Sequence, residues 1–363
     1  MMNRWRTAPR RLTVTTGVTQ GVGVTARVTA RVTARITAAV AAVILLATVL
    51  GTAGCGGERP ASPGQGSAGA PYKGGRLSIA TGNTTGVYYQ LGGGFADLIT
   101  KHLPGYQATA EATGASAENI QRVVRGEADI AFSLADTAGD AATGKGTFPS
   151  PQPIRALTRI YNNYTQVVAR AGTGIASVAD MKGKRVSTGS PNSGTEVIAL
   201  RLLTAAGLDP AKDIQKQSLG LPETVQAMKD GTLDALIWSG GLPTAGITDL
   251  VTSLKDRVVF VGLDVLLSPL REKYGQVYQG ATIPKDAYKI ATAEVPTIAV
   301  PNLLVVNASM PDAVAHDLTK LIYDYQADLA KVHPEGRNIV RENGPKTDPV
   351  VLHPGSASYF DGR

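Results

Sequence analysis

From Leu77 onward the chain alternates apolar runs with amphipathic stretches, in an order that then repeats. Leu77 to Ala80 reads as a strand, followed by Thr81-Gly82-Asn83-Thr84-Thr85-Gly86 and a segment of helical period. An extended run, Gln107 to Ala112, leads into Thr113-Gly114-Ala115-Ser116 and a second helix ending at Gly126. Asp129 then opens the strand Ile130-Ala131-Phe132. The pattern restarts at Lys184. Arg185-Val186-Ser187 leads into Thr188-Gly189-Ser190-Pro191-Asn192-Ser193-Gly194-Thr195 and a helix. Ile214 to Ser218 leads into Gly220-Leu221-Pro222-Glu223, a helix ends at Gly231, and Asp234 opens Ala235-Leu236-Ile237-Trp238. Thr81 and Asp129 lie 48 positions apart, Thr188 and Asp234 lie 46 apart. Two βαβαβ units with matched loops predict two similar α/β lobes facing each other across a central cleft lined by helix N-termini. Such a cleft suits a small anionic ligand.

Two further apolar runs predict how the lobes are joined. Thr165 to Arg170 reads as a strand crossing into lobe two, and Pro296 to Val306 as the return crossing. A helix after Leu242-Pro243, with Pro243 in its first turn, belongs to lobe two. After Pro311, Val314, Leu318, Leu321, Ile322 and Tyr325 recur at helical spacing and would close lobe one. Two crossings make a two-hinge clamp. The expected organisation is a leader over residues 1–54, a Gly/Ser/Pro tether over 55–71, lobe one over 72–168, lobe two over 169–297, and the closing part of lobe one over 298–363.

The leader changes the reading of the charge. The chain carries 36 Lys+Arg against 29 Asp+Glu, formally +7, but Arg4, Arg6, Arg10, Arg11, Arg27, Arg31 and Arg35 all precede the apolar run Ile36 to Leu50. Without them the charges balance, and the basic surplus that phosphate-backbone binding requires is gone, so no nucleic-acid partner is expected. A basic segment, a 15-residue apolar run and small residues before Cys55 fit an exported protein, with Thr52-Ala53-Gly54-Cys55 resembling a bacterial lipidation site. Cys55 would then be lipidated and anchored to the outer face of the cytoplasmic membrane; the alternative is an uncleaved signal anchor. Cys55 is the chain's one cysteine, so no disulfide staples the fold.

The loops carry the candidate chemistry. Thr81, Asn83, Thr84 and Thr85 in one, and Ser190, Asn192, Ser193 and Thr195 in the other, either cap their helices or meet a ligand. Gly189 to Thr195 lacks the Lys of a P-loop, and Gly82 to Gly86 lacks a dinucleotide fingerprint. Asp129 and Asp234 read as structural residues fixing their own turns. Asp136, just past a strand, sits where it would accept a hydrogen bond from a ligand amine. His102, His316, His333 and His353 show no paired spacing, and no nucleophile elbow is present. Neither an enzyme, a metal site nor a cofactor is expected.

Together, Thr81-Gly82, Gly86-Val87-Tyr88-Tyr89, Thr113 to Asn119, Gly126-Glu127-Ala128-Asp129, Gly183-Lys184-Arg185-Val186, Ser193-Gly194-Thr195-Glu196, Gly231 to Ala235, Val295-Pro296-Thr297 and Leu352-His353-Pro354-Gly355 resemble the TAXI family, the extracytoplasmic solute receptors of TRAP transporters. The resemblance covers about residues 75–360. It implies a two-lobed type II periplasmic-binding-protein fold with two hinge strands. It also implies TRAP membrane subunits as partners and a small carboxylate ligand such as glutamate, glutamine or a 2-oxoglutarate-like acid. Carried onto matching positions, the implied ligand residues are Thr81, Gly82, Asn83, Tyr88, Ser116, Asn119, Asp136, Ser193, Gly194 and Thr195. The chain departs from the family at Ala115-Ser116, commonly Gly-Ser, and at Ser190-Pro191-Asn192, commonly glycine-rich. Arg122, Arg125, Arg155, Arg159 and Arg170 are further candidates to meet an anion. Three alternatives stay open: a receptor of an ATP-driven importer of thiamine-precursor or sulfonate type, a sensory receptor, and a porphobilinogen-deaminase-like enzyme. The last needs a cofactor-bearing cysteine within the fold, whereas Cys55 precedes the tether.

Overall fold

The computed structural model describes residues 75–288 and 293–362. The leader, Cys55 and the tether lie outside the described residues. The first repeat folds as β1 (Gly75–Ala80), α1 (Val87–His102), β2 (Tyr106–Glu111), α2 (Ser116–Arg125) and β3 (Ile130–Leu134), with α3 (Ala135–Thr143) following. The second folds as β5 (Arg185–Ser187), α4 (Gly194–Ala205), β6 (Gln215–Gln217), α5 (Leu221–Asp230) and β7 (Ala235–Gly240), followed by α6 (Ala245–Leu254). In each, three parallel strands run in the order second, first, third: β2-β1-β3 and β6-β5-β7.

The repeat extends to individual hydrogen bonds. α2 and α5 both end at a glycine in the left-handed region, Gly126 and Gly231, at φ 72° and 77°, where a side chain would be strained. Asp129 and Asp234 are structural, but each carboxylate reaches the neighbouring strand rather than its own turn. Asp129 Oδ2 accepts from the Ser78 N–H (2.8 Å) and Asp234 Oδ2 from the Arg185 N–H (2.9 Å). Each thereby pins the first strand of its lobe to the third.

Two long antiparallel strands join the lobes. β4 (Ile154–Arg170) pairs with β10 (Val295–Asn307) along its first two-thirds, then with β7 and β8 (Val258–Val261) along its last third. β10 pairs with β9 (Gln279–Ile283) at its start and with β3 at its end. The strand expected at Thr165 to Arg170 is thus the second part of one 17-residue strand that already begins at Ile154. Pairing to β10 on one edge and to β7 and β8 along its last third keeps that length within a single sheet.

Three apolar layers hold the lobes. Leu91, Phe95 and Ile99 of α1 pack with Leu318 and Ile322 of α8 (Asp312–Asp324) over Ile79, Phe132 and Leu304. Val225 and Met228 of α5 pack with Leu250 and Val251 of α6 over Leu236. The third layer passes beneath α2, α3 and α4 and is shared by both lobes, with Ile120, Ala138, Ile198 and Leu202 among its fully buried members. Each buried leucine or isoleucine contributes on the order of 1.5–3 kcal/mol. Pro243 stands before, not within, the first turn of α6, whose N-cap is Thr244.

Candidate functional site

Where β1, β2, β5 and β7 end, the loops of both lobes enclose a cavity. Its wall includes Gly82, Asn83, Tyr88 and Ser116 from lobe one and Ser193, Gly194 and Thr195 from lobe two. Seven of the ten sequence-derived residues therefore meet there. Three do not line it. Thr81 is fully buried beneath the first loop, its hydroxyl donating to the Glu111 carbonyl (2.6 Å). Asn119 uses its amide to tie the Thr81 and Phe132 carbonyls together (2.6 and 2.8 Å). Asp136 faces a separate surface cavity, where its carboxylate accepts from the Tyr278 hydroxyl (2.8 Å) and from Arg201 (3.4 Å). An expected role for Asp136 as acceptor of a ligand amine conflicts with this placement, because the carboxylate is already paired with the half-buried Arg201 guanidinium.

Three helices begin at the cavity wall: α1 at Val87, α2 at Ser116 and α4 at Gly194. First-turn N–H groups have no intrahelical partner and carry the positive end of the helix dipole. Only α4 is capped by a side chain, Ser193 Oγ accepting from the Glu196 N–H (2.9 Å); α1 and α2 follow Gly86 and Ala115 without a side-chain cap.

Asn83 lines the cavity but does not cap the helix of its own loop. Its side chain reaches into the other lobe, where Oδ1 accepts from the Leu221 N–H (2.5 Å) and Nδ2 donates to Ser190 Oγ (3.3 Å). Leu221 opens α5, so a residue of lobe one caps a helix of lobe two. The Glu118 N–H likewise donates to the Asn192 carbonyl across the cleft (3.1 Å). These contacts describe closed lobes. The volume open to the centre of a water molecule is about 30 Å³, room for one or two waters. Anything larger enters only if the lobes part.

The floor comes from β4 and β7, and its β4 residues escaped the sequence reading. Tyr161 and Asn163 of β4 line the cavity with Trp238, Ser239 and Gly240 of β7. A chain of polar groups runs beneath: the Tyr88 hydroxyl donates to Asn302 Oδ1, and Asn302 Nδ2 donates to Asn163 Oδ1 (2.9 Å). Asn163 Nδ2 in turn donates to the Ser239 carbonyl (3.3 Å). Two hydroxyls in the wall have no partner among the described residues, Tyr161 Oη and Ser239 Oγ, although both residues are over nine-tenths buried. A buried hydroxyl without a partner costs about 1–3 kcal/mol, a cost that an acceptor entering the cavity would offset. Burial pushes the Tyr161 phenol well above its ordinary pKa, which keeps its proton in place. Among the described residues the wall carries no carboxylate, ammonium or guanidinium. None of the five candidate arginines lines it; Arg122, for instance, pairs with Glu111 and Glu118.

Ala115 holds φ 89° and ψ −150°, a region that glycine occupies freely and that costs an L-residue about 1–3 kcal/mol. Ala115→Gly is expected to stabilise the protein by about 1 kcal/mol, the released strain exceeding the roughly 0.5–1 kcal/mol entropic cost of glycine. Thermal melting checks this; a lowered Tm would mean that packing of the methyl against Gly82 outweighs the strain.

Residues 79–362 match the model of the NMT1-like family. The chain belongs to the NMT1-like family. Among solved structures it is similar to PhnD1 of Prochlorococcus marinus in complex with methylphosphonate, at 10% identity and a TM-score of 0.50 over 73% of this chain and 90% of that one. It also resembles the binding protein component of an ABC phosphonate transporter from Pseudomonas aeruginosa (14% identity, 73% and 79% coverage, TM-score 0.47). A third is the periplasmic aliphatic sulphonate binding protein SsuA of Escherichia coli (16%, 79% and 83%, 0.43). The likeness to PhnD1 agrees with the two-lobed fold and its crossing strands.

Proposed function

We propose that this NMT1-like protein is an extracytoplasmic solute receptor. It closes over a small carboxylate, of the glutamate, glutamine or 2-oxoglutarate kind, and delivers it to TRAP membrane subunits while tethered to the membrane by a lipid on Cys55. Lobe boundaries near residues 168 and 297 put the two hinges in β4 and β10. The observation that carries the reading is the pair of buried, unpartnered hydroxyls, Tyr161 and Ser239, in a cavity onto which α1, α2 and α4 open. Helix N-termini and neutral donors hold an anion without a cationic side chain. Closure buries the ligand between lobes, and Asn83 then caps α5. The second reading, a sulfonate or phosphonate receptor of an ATP-driven importer, draws on the same donors.

Tyr161→Phe tests the site. Removing an unsatisfied hydroxyl should leave the ligand-free Tm unchanged or slightly higher, while weakening ligand binding about tenfold through loss of one hydrogen bond to a charged acceptor. Calorimetric titration and thermal shift with carboxylates, sulfonates and phosphonates read both effects and separate the two transport systems' ligands. A lowered ligand-free Tm with unchanged affinity would make the hydroxyl structural and remove it from the site.

A further inference from the structure

We infer that the cavity takes an oxyanion carrying no ammonium group, which within the carboxylates proposed above selects a 2-oxo acid over glutamate or glutamine; the inference rests on that reading of the site. It follows from which protons in the wall remain free. Ser190, Ser193 and Thr195 each already accept a hydrogen bond, from Asn83 Nδ2 (3.3 Å), the Glu196 N–H (2.9 Å) and the Ser239 N–H (3.2 Å). No acceptor among the described residues takes their own hydroxyl protons. Tyr161 and Ser239 add two more hydroxyl protons with no partner. These five hydroxyls therefore point to a ligand made of acceptors.

The other polar side chains of the wall are spent. Asn83 and Asn163 have both amide ends engaged. Ser116 Oγ accepts from the Leu134 N–H (3.1 Å), and the Tyr88 hydroxyl is spent on Asn302 Oδ1. Trp238 donates to Thr244 (3.2 Å). Backbone N–H groups from three helix starts add donors of the same sign.

An ammonium group would enter this wall as a like charge. It needs acceptors for three protons and an anion within a few ångströms. The carboxylates behind the wall do not supply one. Glu335, behind Gly241, is committed to the Leu242 N–H (2.6 Å) and Asn338 (2.7 Å), and Asp136 is committed to Arg201 and Tyr278.

The test compares ligands matched in size that differ by the amine, titrated calorimetrically into the full-length protein: 2-oxoglutarate against glutamate, pyruvate against alanine, and ethanesulfonate against taurine. The amine-free member of the binding pair is expected to bind at least about 100-fold more tightly, the scale on which an unpaired buried charge is rejected. Equal or tighter binding of the aminated member overturns the inference and leaves the receptor reading standing. Binding by no member of any pair overturns the receptor reading itself, and the inference falls with it.

Discussion

Gly194→Val should abolish most ligand binding, by roughly 100-fold, in a protein that melts like the parent when ligand-free. Gly194 is the first residue of α4, in lobe two. A Cβ at this position would stand 2.5 Å from Ser116 Oγ and 2.6 Å from Leu134 Cδ1, both in lobe one. Real atoms do not approach so closely. Ser116 Oγ is held by the Leu134 N–H, so it cannot simply swing away. The three atoms nearest that Cβ all belong to lobe one, so the clash arises between the lobes and is relieved when they part. The closed protein must carry overpacking of about 1–3 kcal/mol, with valine at the upper end, and about 1.4 kcal/mol corresponds to tenfold in affinity. Gly93→Ala is the control: its Cβ would have open space around it, and affinity should not move. Calorimetry gives the affinities, and small-angle scattering reports whether ligand still compacts the variant. Parental affinity in Gly194→Val would mean that the bound state keeps the lobes farther apart than the closed arrangement.

Sequence pattern revealed what is local and repeated. Glycines ending helices, strands of Val, Ile and Ala, and the spacing of the loops all report on nearest neighbours along the chain, and the repeat doubled each signal. Asp129 and Asp234 were legible as structural because each recurs at the same place, although their partner strand was not. The site's floor was not legible. Tyr161 and Asn163 precede the run Thr165 to Arg170 that reads as a strand, and their meeting with Ser239 depends on antiparallel pairing of β4 with β7 over more than 70 positions. One signal was available: Asn162-Asn163 and Asn302 interrupt otherwise buried strands, and a polar residue inside such a run needs a partner. The helix that Asn83 caps was not legible for a related reason. Capping is ordinarily sought within a residue's own loop, whereas the helix it caps begins 138 positions later. Thr81 and Asn119 shared the pattern of the ligand residues but serve the wall from behind, a distinction that only side-chain direction makes.

Arg201→Met should lower the Tm by roughly 5–10 °C at neutral pH, and the deficit should shrink as the pH falls. Arg201 of α4 donates to Asp136 (3.4 Å) and to the Tyr278 hydroxyl (2.8 Å), pairs also with Asp140, and lies 4.6 Å from the centre of the Tyr274 ring. Asp136 and Asp140 belong to α3 and Arg201 to the second repeat, so the cluster braces the two halves away from the cavity. Its side chains are 1–15% exposed, so solvent screens them little. Methionine keeps much of the arginine's volume and removes the charge. Two carboxylates are then left buried without a counter-ion, a loss of about 3–5 kcal/mol, and each kcal/mol moves the Tm of a fold of this size by about 1.5–2 °C. The sign of the pH effect follows from Asp140. Burial already holds its carboxyl above the ordinary value, while the Arg201 charge pulls it back down. Without Arg201 it rises further. A carboxyl whose folded pKa is raised favours folding when protonated, below the unfolded value near 4, and that stability is lost as the pH climbs through the folded pKa. The variant therefore loses most above that range and recovers toward pH 4, whereas the parent keeps its ion pairs at neutral pH. Thermal melts from pH 4 to pH 8 measure the gap. A constant gap would assign the loss to packing against Tyr274 rather than to unpaired charge.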